Sequence, residues 1–317
     1  MQREFKPRYR TNHGIFRRWE GNPVITIEDL PFRCSDVRNA GAVKVADTYI
    51  LLVTIESLSG HTLIYRATSG DGRYFTVDSE PLMAPSSEEP FRRHEEVGVT
   101  DARITKLNDT YYITYLAESH LGFRIGLAET QDFSSVKRLG FISEPDTKGG
   151  TIFPEKIDGR FARLERPSEG GRIWLSYSDD LVYWGNCREI MSPRGGYWDA
   201  DRIGDAVPPI KLKDGDWLVI YYGIRHTSGG DLFRIGAAIL HGEDPARVTA
   251  RANTPILAPL EDYERIGDVN NLVFSCGAVL EGDTLLLYYG AARSCICLGT
   301  VSVTQIIAEC KEANGDY

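Results

Sequence analysis

Five stretches of this 317-residue sequence share one pattern, in which an apolar strand, a short polar turn and a second strand follow one another. The second strand is rich in β-branched and aromatic residues. Turns built on Asp, Asn or Gly between two such strands are a strong local signal for a β-hairpin. The pattern therefore predicts an all-β chain whose turns lie at Ala46-Asp47, Asn108-Asp109, Asp158-Gly159, Asp214-Gly215 and Glu281-Gly282.

A second unit follows most of these hairpins. It consists of a strand, a turn rich in Ser, Thr and Asp, and an aromatic or apolar anchor, as in YRATSGDGRYF and LSYSDDLVYW. Each repeat thus supplies about four strands, and the hairpin turns are about 50–70 residues apart. Radial repetition of four-stranded sheets is typical of propellers, so we predict a five-bladed β-propeller. A pair of β-sandwiches is the alternative, but it does not explain five similar hairpins.

The repeats also bear on domain organisation. A chain of this length can form two domains or one large all-β domain. Because the repeats fill the chain, we expect one propeller domain over residues 1–317, with 1–21 as an N-terminal arm and 302–317 as a closing segment. Long helices are nearly absent, and the best candidate is VTQIIAECKEANG in that closing segment.

Charge and apolar content restrict the function classes. The net charge of −9 argues against a general nucleic-acid binder, which usually has a basic surface. The basic N-terminus lacks the apolar region of a secretory signal, and no apolar run approaches the ~18 residues that span a bilayer. We therefore expect a cytoplasmic protein without a membrane partner. Six scattered cysteines form no CxxC pair, so free thiols are expected in place of a zinc site. Nothing in the sequence implies a metal or an organic cofactor.

The innermost strands of a propeller surround an axis, and the residues that begin those strands point towards one funnel. Asp101 begins such a strand and has no Gly or Pro neighbour that a turn would favour, although an Asp before a strand often only caps a turn. We predict that Asp101 faces the funnel. The corresponding positions are Arg38-Asn39, Asp101-Ala102-Arg103, Pro154-Glu155-Lys156, Gly204-Asp205, and in the fifth blade both Asn270-Asn271 and Phe274-Ser275.

Six segments in one order resemble the β-mannoside phosphorylases of glycoside hydrolase family 130, over about Asn22 to Val301. They are GVTDARITKLNDTYYITY, TKGGTIFPEKIDGRFARLERPSE, IWLSYSDDLVYWG, LVIYYGI, EDYERIGDVNNLVFSCGAV and LLLYYGAA. The resemblance implies a five-bladed propeller that cleaves a terminal β-mannosyl unit with inversion. Inorganic phosphate is then the nucleophile and co-substrate, and α-mannose 1-phosphate is the product. The family motif Tyr-Asp-Pro-Arg reads Thr-Asp-Ala-Arg here, so Asp101 is implied as the proton donor, acting through a hydroxyl of the bound mannose.

A nucleophile that is already an anion needs no carboxylate base, but it needs cations around it. By motif position, Lys148 and Arg166 are implied as phosphate ligands. Three positions depart from the family: Tyr222 replaces a His, Arg293 replaces an Asp, and Thr54 stands where relatives tend to carry a sugar-binding Arg. Tyr222 and Arg293 can still bind phosphate, and His226 can substitute for the missing imidazole.

The expected sugar ligands are planar polar groups. They are Arg38, Asn39, Arg103, Asp199, Asp205 and Asn271. The partners are then a manno-oligosaccharide or β-mannosyl disaccharide and phosphate, and a homo-oligomer is possible.

Two alternatives stay open at this point. An inverting β-1,2-type mannoside hydrolase needs a second carboxylate about 6.5–9.5 Å from the acid, and Asp205, Glu95 and Glu96 are candidates. A non-catalytic glycan-binding propeller is the other alternative.

Overall fold

Residues 14–312 are described by the computed structural model, and strands dominate them. The strands, numbered in chain order, are β1 Arg17–Arg18, β2 Asp36–Val45, β3 Thr48–Glu56, β4 Thr62–Ser69, β5 Thr76–Val77, β6 Gly98–Leu107, β7 Thr110–Ser119, β8 Gly122–Thr130, β9 Lys137–Phe141, β10 Thr147–Ile152, β11 Phe161–Pro167, β12 Ile173–Ser178, β13 Gly185–Met191, β14 Arg202–Asp205, β15 Ile210–Lys211, β16 Trp217–Thr227, β17 Gly230–Leu240, β18 Val248–Arg251, β19 Val273–Glu281, β20 Thr284–Ala291 and β21 Cys295–Ser302. The α-helices are α1 Phe91–His94, α2 Asp262–Arg265 and α3 Val303–Glu312, and single 3₁₀ turns lie at Ile27–Asp29 and Glu169–Gly171. The all-β prediction is confirmed.

The strands form four sheets. Their orders are β1-β21-β20-β19, then β10-β11-β12-β13, then β14-β16-β17-β18 with β15 beside β16, and finally β2-β3-β4-β6-β7-β8-β9 with β5 beside β4. In the last sheet, β4 and β6 are joined by one parallel pair, Thr62 with Gly98, whereas the other neighbours are antiparallel. This sheet therefore consists of two antiparallel four-stranded groups.

The predicted hairpin turns lie between β2 and β3, between β6 and β7, and between β19 and β20 as expected. Ala46 and Asn108 adopt positive φ there, which closes a tight turn. The third hairpin is shorter than predicted, because around Asp158 only Ile157 and Arg160 pair.

The inner strand of this third group is β10, which pairs with β11 and ends at Ile152. Pro154-Glu155-Lys156 therefore follows this strand, and the prediction that it begins the strand is wrong. Proline has no N–H for a strand ladder, which fits a position beyond the strand end.

Apolar side chains pack between neighbouring four-stranded groups. Leu52 and Ile64 of one four-stranded group pack with Ile113 and Tyr115 of the next. The described chain ends are also packed together: β1, in the predicted N-terminal arm, pairs with β21, and Ile306 of α3 is buried. Residues 1–13 of that arm and 313–317 of the closing segment lie outside the described residues. Within 14–312, no helix is long and apolar enough to cross a membrane.

Candidate active site

One cavity of about 330 Å³ lies where the first parts of β2, β6, β10, β14 and β19 meet. This volume is in the range of small-molecule sites. Eight of the twelve site residues expected from the sequence line it: Arg38, Asn39, Asp101, Arg103, Lys148, Arg166, Tyr222 and Arg293. The fold thus places most of the polar groups predicted from the sequence in one cavity.

β-bulges occur in four of these five inner strands, close to the cavity. The pairing register shifts between Val37 and Ala40, between Thr100 and Arg103, between Gly149 and Thr151, and between Ser275 and Gly277. A bulge adds a residue to one strand and redirects its side chains. Asn39 and Asp101 lie within the bulges of β2 and β6 and face the cavity, whereas Lys148 immediately precedes the bulge of β10.

Asp101 lies within the bulge of β6 with a φ of +57°. Its backbone N–H donates to the Thr54 hydroxyl at 3.0 Å, and Thr54 is fully buried. The Asn39 side-chain amide donates to Asp101 Oδ1 at 2.7 Å. Thr54 of β3 therefore fixes the Asp101 backbone, Asn39 of β2 fixes its carboxylate, and the carboxylate lines the cavity.

Arg103 forms the floor of the cavity. Its side chain is buried, and it donates to the Ala206 carbonyl and to the Asp101 carbonyl, each at 2.9 Å. Arg38 lines the wall above and is held by Asp36 at 2.9 Å and by Glu56. The buried side chain of Arg103 thus closes the inner end of the cavity, and the next residue, Ile104, lines a separate cavity.

A group of cations forms the opposite wall. Lys148 and Arg166 are direct neighbours across β10 and β11. The Lys148 ammonium lies 4.0 Å from the centre of the Phe123 ring, and burial lowers the pKa of Lys148. Arg166 is buried, and its Nε has no hydrogen-bond partner among the described residues. A buried guanidinium N–H without a partner is available to an anion.

Tyr222 completes this wall. Burial raises its pKa, and Arg166 forms a side-chain hydrogen bond with its hydroxyl. Tyr222 therefore remains neutral over the ordinary pH range and keeps a hydroxyl proton. Arg293 also lines the cavity; it is partly exposed, and within residues 14–312 its ion-pair partner is Asp268 at 3.6 Å.

Four predicted site residues do not line this cavity. Asp199 is fully buried behind β16, where Arg194, Arg251 and Tyr221 bind its carboxylate. Its charge is therefore used within the fold, and the prediction of a sugar contact is corrected.

Asp205 is also fully buried, below the bulge of β10. Its Oδ2 accepts the Thr151 backbone N–H at 3.0 Å, and a Cβ on Gly149 would lie 1.9 Å from its Oδ1. Asp205 therefore supports the strand that carries Lys148 instead of contacting a ligand directly.

His226 lies near the end of β16, two residues beyond the cavity-lining Ile224, where its exposed ring contacts Asp231. It is too far along the strand to replace an imidazole in the cavity. Asn271 stands between lining residues Val269 and Leu272, and its carbonyl accepts the Phe233 N–H at 3.1 Å without its side chain lining the wall.

Comparison with known proteins identifies the family. A family model for glycoside hydrolase family 130, described as beta-1,4-mannooligosaccharide phosphorylase, matches residues 32–312. This chain belongs to glycoside hydrolase family 130. The resemblance seen in the sequence is thereby confirmed.

Curated relatives of this family 130 chain include a beta-1,2-mannobiose phosphorylase from Listeria innocua, which is 37% identical over 79% of this chain and 69% of its own length. A beta-1,4-mannooligosaccharide phosphorylase from Ruminococcus albus is 26% identical over 92% and 90%, respectively. Among solved structures, the Listeria innocua beta-1,2-mannobiose phosphorylase in complex with beta-1,2-mannobiose has a TM-score of 0.86 at 30% identity, covering 94% of this chain and 99% of that chain.

The family 130 chain also carries cavity residues that sequence reasoning missed. One of them is Arg202, which adds a further cation at the rim. Phe274, by contrast, is one of the funnel positions predicted from the sequence; it lines the cavity, and its ring packs on Tyr222 with their centres 4.9 Å apart. Glu118 of β7 is a second carboxylate in the wall. Burial raises the pKa of Glu118, and the charge of Asp101 raises it further. Strand alternation from Leu116 was the available signal for Glu118.

The other carboxylates considered as a base in this family 130 chain lie elsewhere. Glu95 is fully buried and is bound by Arg138 at 2.9 Å and by the Tyr115 hydroxyl at 2.6 Å. Glu96 lies on the surface beside His120. Neither carboxylate can reach a sugar in the cavity, and Asp205 is covered by the β10 bulge.

Proposed function

We propose that this protein is an inverting glycoside phosphorylase that cleaves terminal β-mannosides with inorganic phosphate to give α-mannose 1-phosphate. The observation that carries the proposal is that the Asp101 carboxylate lies in the same cavity as the cations Lys148 and Arg166. The names of the relatives support the same reaction and both β-1,2- and β-1,4-linked substrates.

In the proposed reaction, a phosphate oxygen forms the new bond to the anomeric carbon while the bond from that carbon to the glycosidic oxygen breaks. The electron pair goes to the glycosidic oxygen, and the Asp101 proton reaches it through a mannose hydroxyl. Inversion follows because attack and departure occur on opposite faces. Asn39 positions Asp101 through their 2.7 Å hydrogen bond.

The phosphate lies against Arg166 and Lys148, with Arg293 and the Tyr222 hydroxyl as further donors. Arg166 offers a planar set of N–H groups that fits phosphate oxygens, whereas Lys148 acts as a point charge. Arg38, Asn39 and Arg103 surround the terminal mannose. No metal or organic cofactor takes part in this proposal.

We also propose that the four sheets form the five blades of a single propeller domain, with the eight-stranded sheet counted as two. A second cavity of about 280 Å³ supports this arrangement. It is lined by Ala42, Ile104, Pro154, Val207 and Ala278, one from each of the five groups whose inner strands also reach the first cavity. Five strands that meet at both of their ends surround a common axis. The cytoplasmic location and a homo-oligomer stay predictions.

Hydrolysis is the second candidate, because Glu118 is a further carboxylate in the cavity. Hydrolysis requires no anion site, however, whereas the buried, unpartnered Nε of Arg166 suits one. The cation wall therefore favours phosphorolysis.

Incubation of the enzyme with β-1,2- and β-1,4-mannobiose, with and without phosphate, tests the proposal. We expect mannose 1-phosphate to accumulate only when phosphate is present. Free mannose released equally fast in both conditions, without mannose 1-phosphate, would establish the hydrolase instead.

A further inference from the structure

Glu118 lies nearer the cavity mouth than the catalytic groups. In the β6–β7 pairing, Leu116 is opposite Thr100 and Glu118 is opposite Gly98, the first residue of β6. Alternate residues of a strand share a face, and both Leu116 and Glu118 line the cavity. Glu118 is therefore about 7 Å further from the floor than Leu116.

The closed floor orders the two sugars along this direction. Arg103 closes the lower end, so the terminal mannose occupies the deep part beside Asp101. The glycosidic oxygen must lie within reach of Asp101, and the leaving-group sugar therefore extends towards the mouth. Glu118 is at the depth of that second sugar.

The Glu118 carboxylate has no side-chain hydrogen bond among residues 14–312, although it is only partly exposed. Its charged neighbours are Asp101, Lys148, Arg38 and Arg293. Withdrawing a carboxylate from water without hydrogen-bond donors is unfavourable, and a ligand that supplies donors removes this penalty. A sugar hydroxyl is such a donor, whereas a phosphate dianion is repelled.

We propose that Glu118 accepts a hydrogen bond from a hydroxyl of the leaving-group sugar and so determines which acceptor sugar the enzyme uses. This inference rests on the proposed function. In the reverse direction, Glu118 binds the free acceptor sugar, while mannose 1-phosphate occupies the deep part of the cavity. Acceptor binding and donor binding are therefore separable in the reverse reaction.

The first experiment measures the reverse reaction for the wild type, Glu118→Ala and Glu118→Gln. We expect Glu118→Ala to raise the KM for the acceptor sugar at least tenfold and that for mannose 1-phosphate less than twofold. Glu118→Gln retains a hydrogen-bonding oxygen and should recover part of the loss. Glu129→Ala, which removes a carboxylate paired with Lys137 on the outer surface, is the control and should behave as the wild type.

Deoxy analogues of the acceptor then identify the hydroxyl. The wild type should use the analogue that lacks the hydroxyl bound by Glu118 poorly. Glu118→Ala should use this analogue no more poorly than the wild type does. Such non-additivity is expected only for two groups in contact. A purely structural effect of Glu118→Ala would lower the use of every analogue by the same factor.

Two results would overturn the inference: a rise in the KM for mannose 1-phosphate instead of the acceptor, or equal penalties for every deoxy analogue. A wild-type enzyme that forms no mannoside from mannose 1-phosphate would instead overturn the proposed function. The wild-type measurement therefore separates the two failures.

Discussion

At the scale of single residues, Asp101 has an unusual backbone for a non-glycine residue, because its φ is +57°. Asp tolerates this region better than most residues, but the conformation persists only when the surroundings enforce it. Thr54 binds its N–H and Asn39 binds its carboxylate, so the strands on either side supply that enforcement. The chain thus holds the acid in place before a substrate arrives.

Replacement of the acid tests its role. We expect Asp101→Asn to lower kcat on mannobiose by about 10²–10⁴-fold, the usual contribution of a general acid. The kcat on aryl β-mannosides with good leaving groups should fall much less, because such leaving groups depart without a proton. The thermal midpoint should stay close to the wild type, since Asn also tolerates positive φ. Asp109→Asn in the turn of the same hairpin is the control, and near-normal turnover by Asp101→Asn would refute the assignment.

The lowered pKa of Lys148 gives a pH dependence. Burial disfavours the charged ammonium, so Lys148 loses its proton at a lower pH than an ordinary lysine. The KM for phosphate should therefore rise as the pH climbs through that range, where phosphate already carries its second charge. The arginine in Lys148→Arg stays protonated, so in this variant the KM for phosphate should rise less at alkaline pH. Lys156→Arg should leave the rise unchanged. Identical alkaline profiles for the wild type and Lys148→Arg would argue against Lys148 as a phosphate ligand.

At the scale of elements, the bulges decide which side chains face the cavity. Gly149 has a φ of +83°, and an added Cβ would lie 1.9 Å from Asp205 Oδ1. Asp205 in turn binds the Thr151 N–H, on the far side of the bulge. The position of Lys148 therefore depends on a glycine that lets the buried carboxylate approach the backbone.

Gly149→Ala should consequently raise the KM for phosphate at least tenfold. Gly159→Ala provides a matched control, because Gly159 also has a positive φ of +76° but no atom within 4 Å of an added Cβ. Both variants carry a similar backbone penalty of about 1–2 kcal/mol. Only Gly149→Ala should alter the kinetics, and equal kinetic effects in the two would show that backbone strain alone is responsible.

The same elements show how far the sequence could lead. Hairpin turns such as Asn108-Asp109 were predictable because their geometry depends on adjacent residues. The bulges were not, since the extra residues in β2 and β6 are defined only against their partner strands. Asp199 was misassigned for a related reason: two of its three partners, Tyr221 and Arg251, come from other strands, and with Arg194 of the same loop they make it a buried structural residue.

At the scale of the whole molecule, the two described chain ends share one sheet. Arg18 of β1 donates to both carboxylate oxygens of Glu264, at 2.7 and 2.8 Å, and Glu264 is fully buried. Tyr289 also donates to this carboxylate at 2.8 Å. The N-terminal strand is therefore fixed to the last quarter of the chain by a buried ion pair as well as by the β1–β21 pairing.

Loss of Arg18 should leave a buried charge without its partner. We expect Arg18→Ala to reduce the free energy of unfolding by about 3–5 kcal/mol in urea denaturation. Arg17→Ala removes the exposed neighbouring arginine of the same short strand and should change it by less than about 0.5 kcal/mol. A small, equal effect for both variants would show that this ion pair does not stabilise the attachment of β1 to the last quarter of the chain.

The origin of the oxygen on the anomeric carbon tests the central claim most directly. With ¹⁸O-labelled phosphate in ordinary water and β-mannobiose as substrate, the account predicts mannose 1-phosphate that keeps all four labelled oxygens, including the one bonded to the anomeric carbon. Mass spectrometry of the product measures this. In the complementary reaction in ¹⁸O-labelled water with ordinary phosphate, labelled free mannose as the main product would contradict the account, because water would then be the nucleophile.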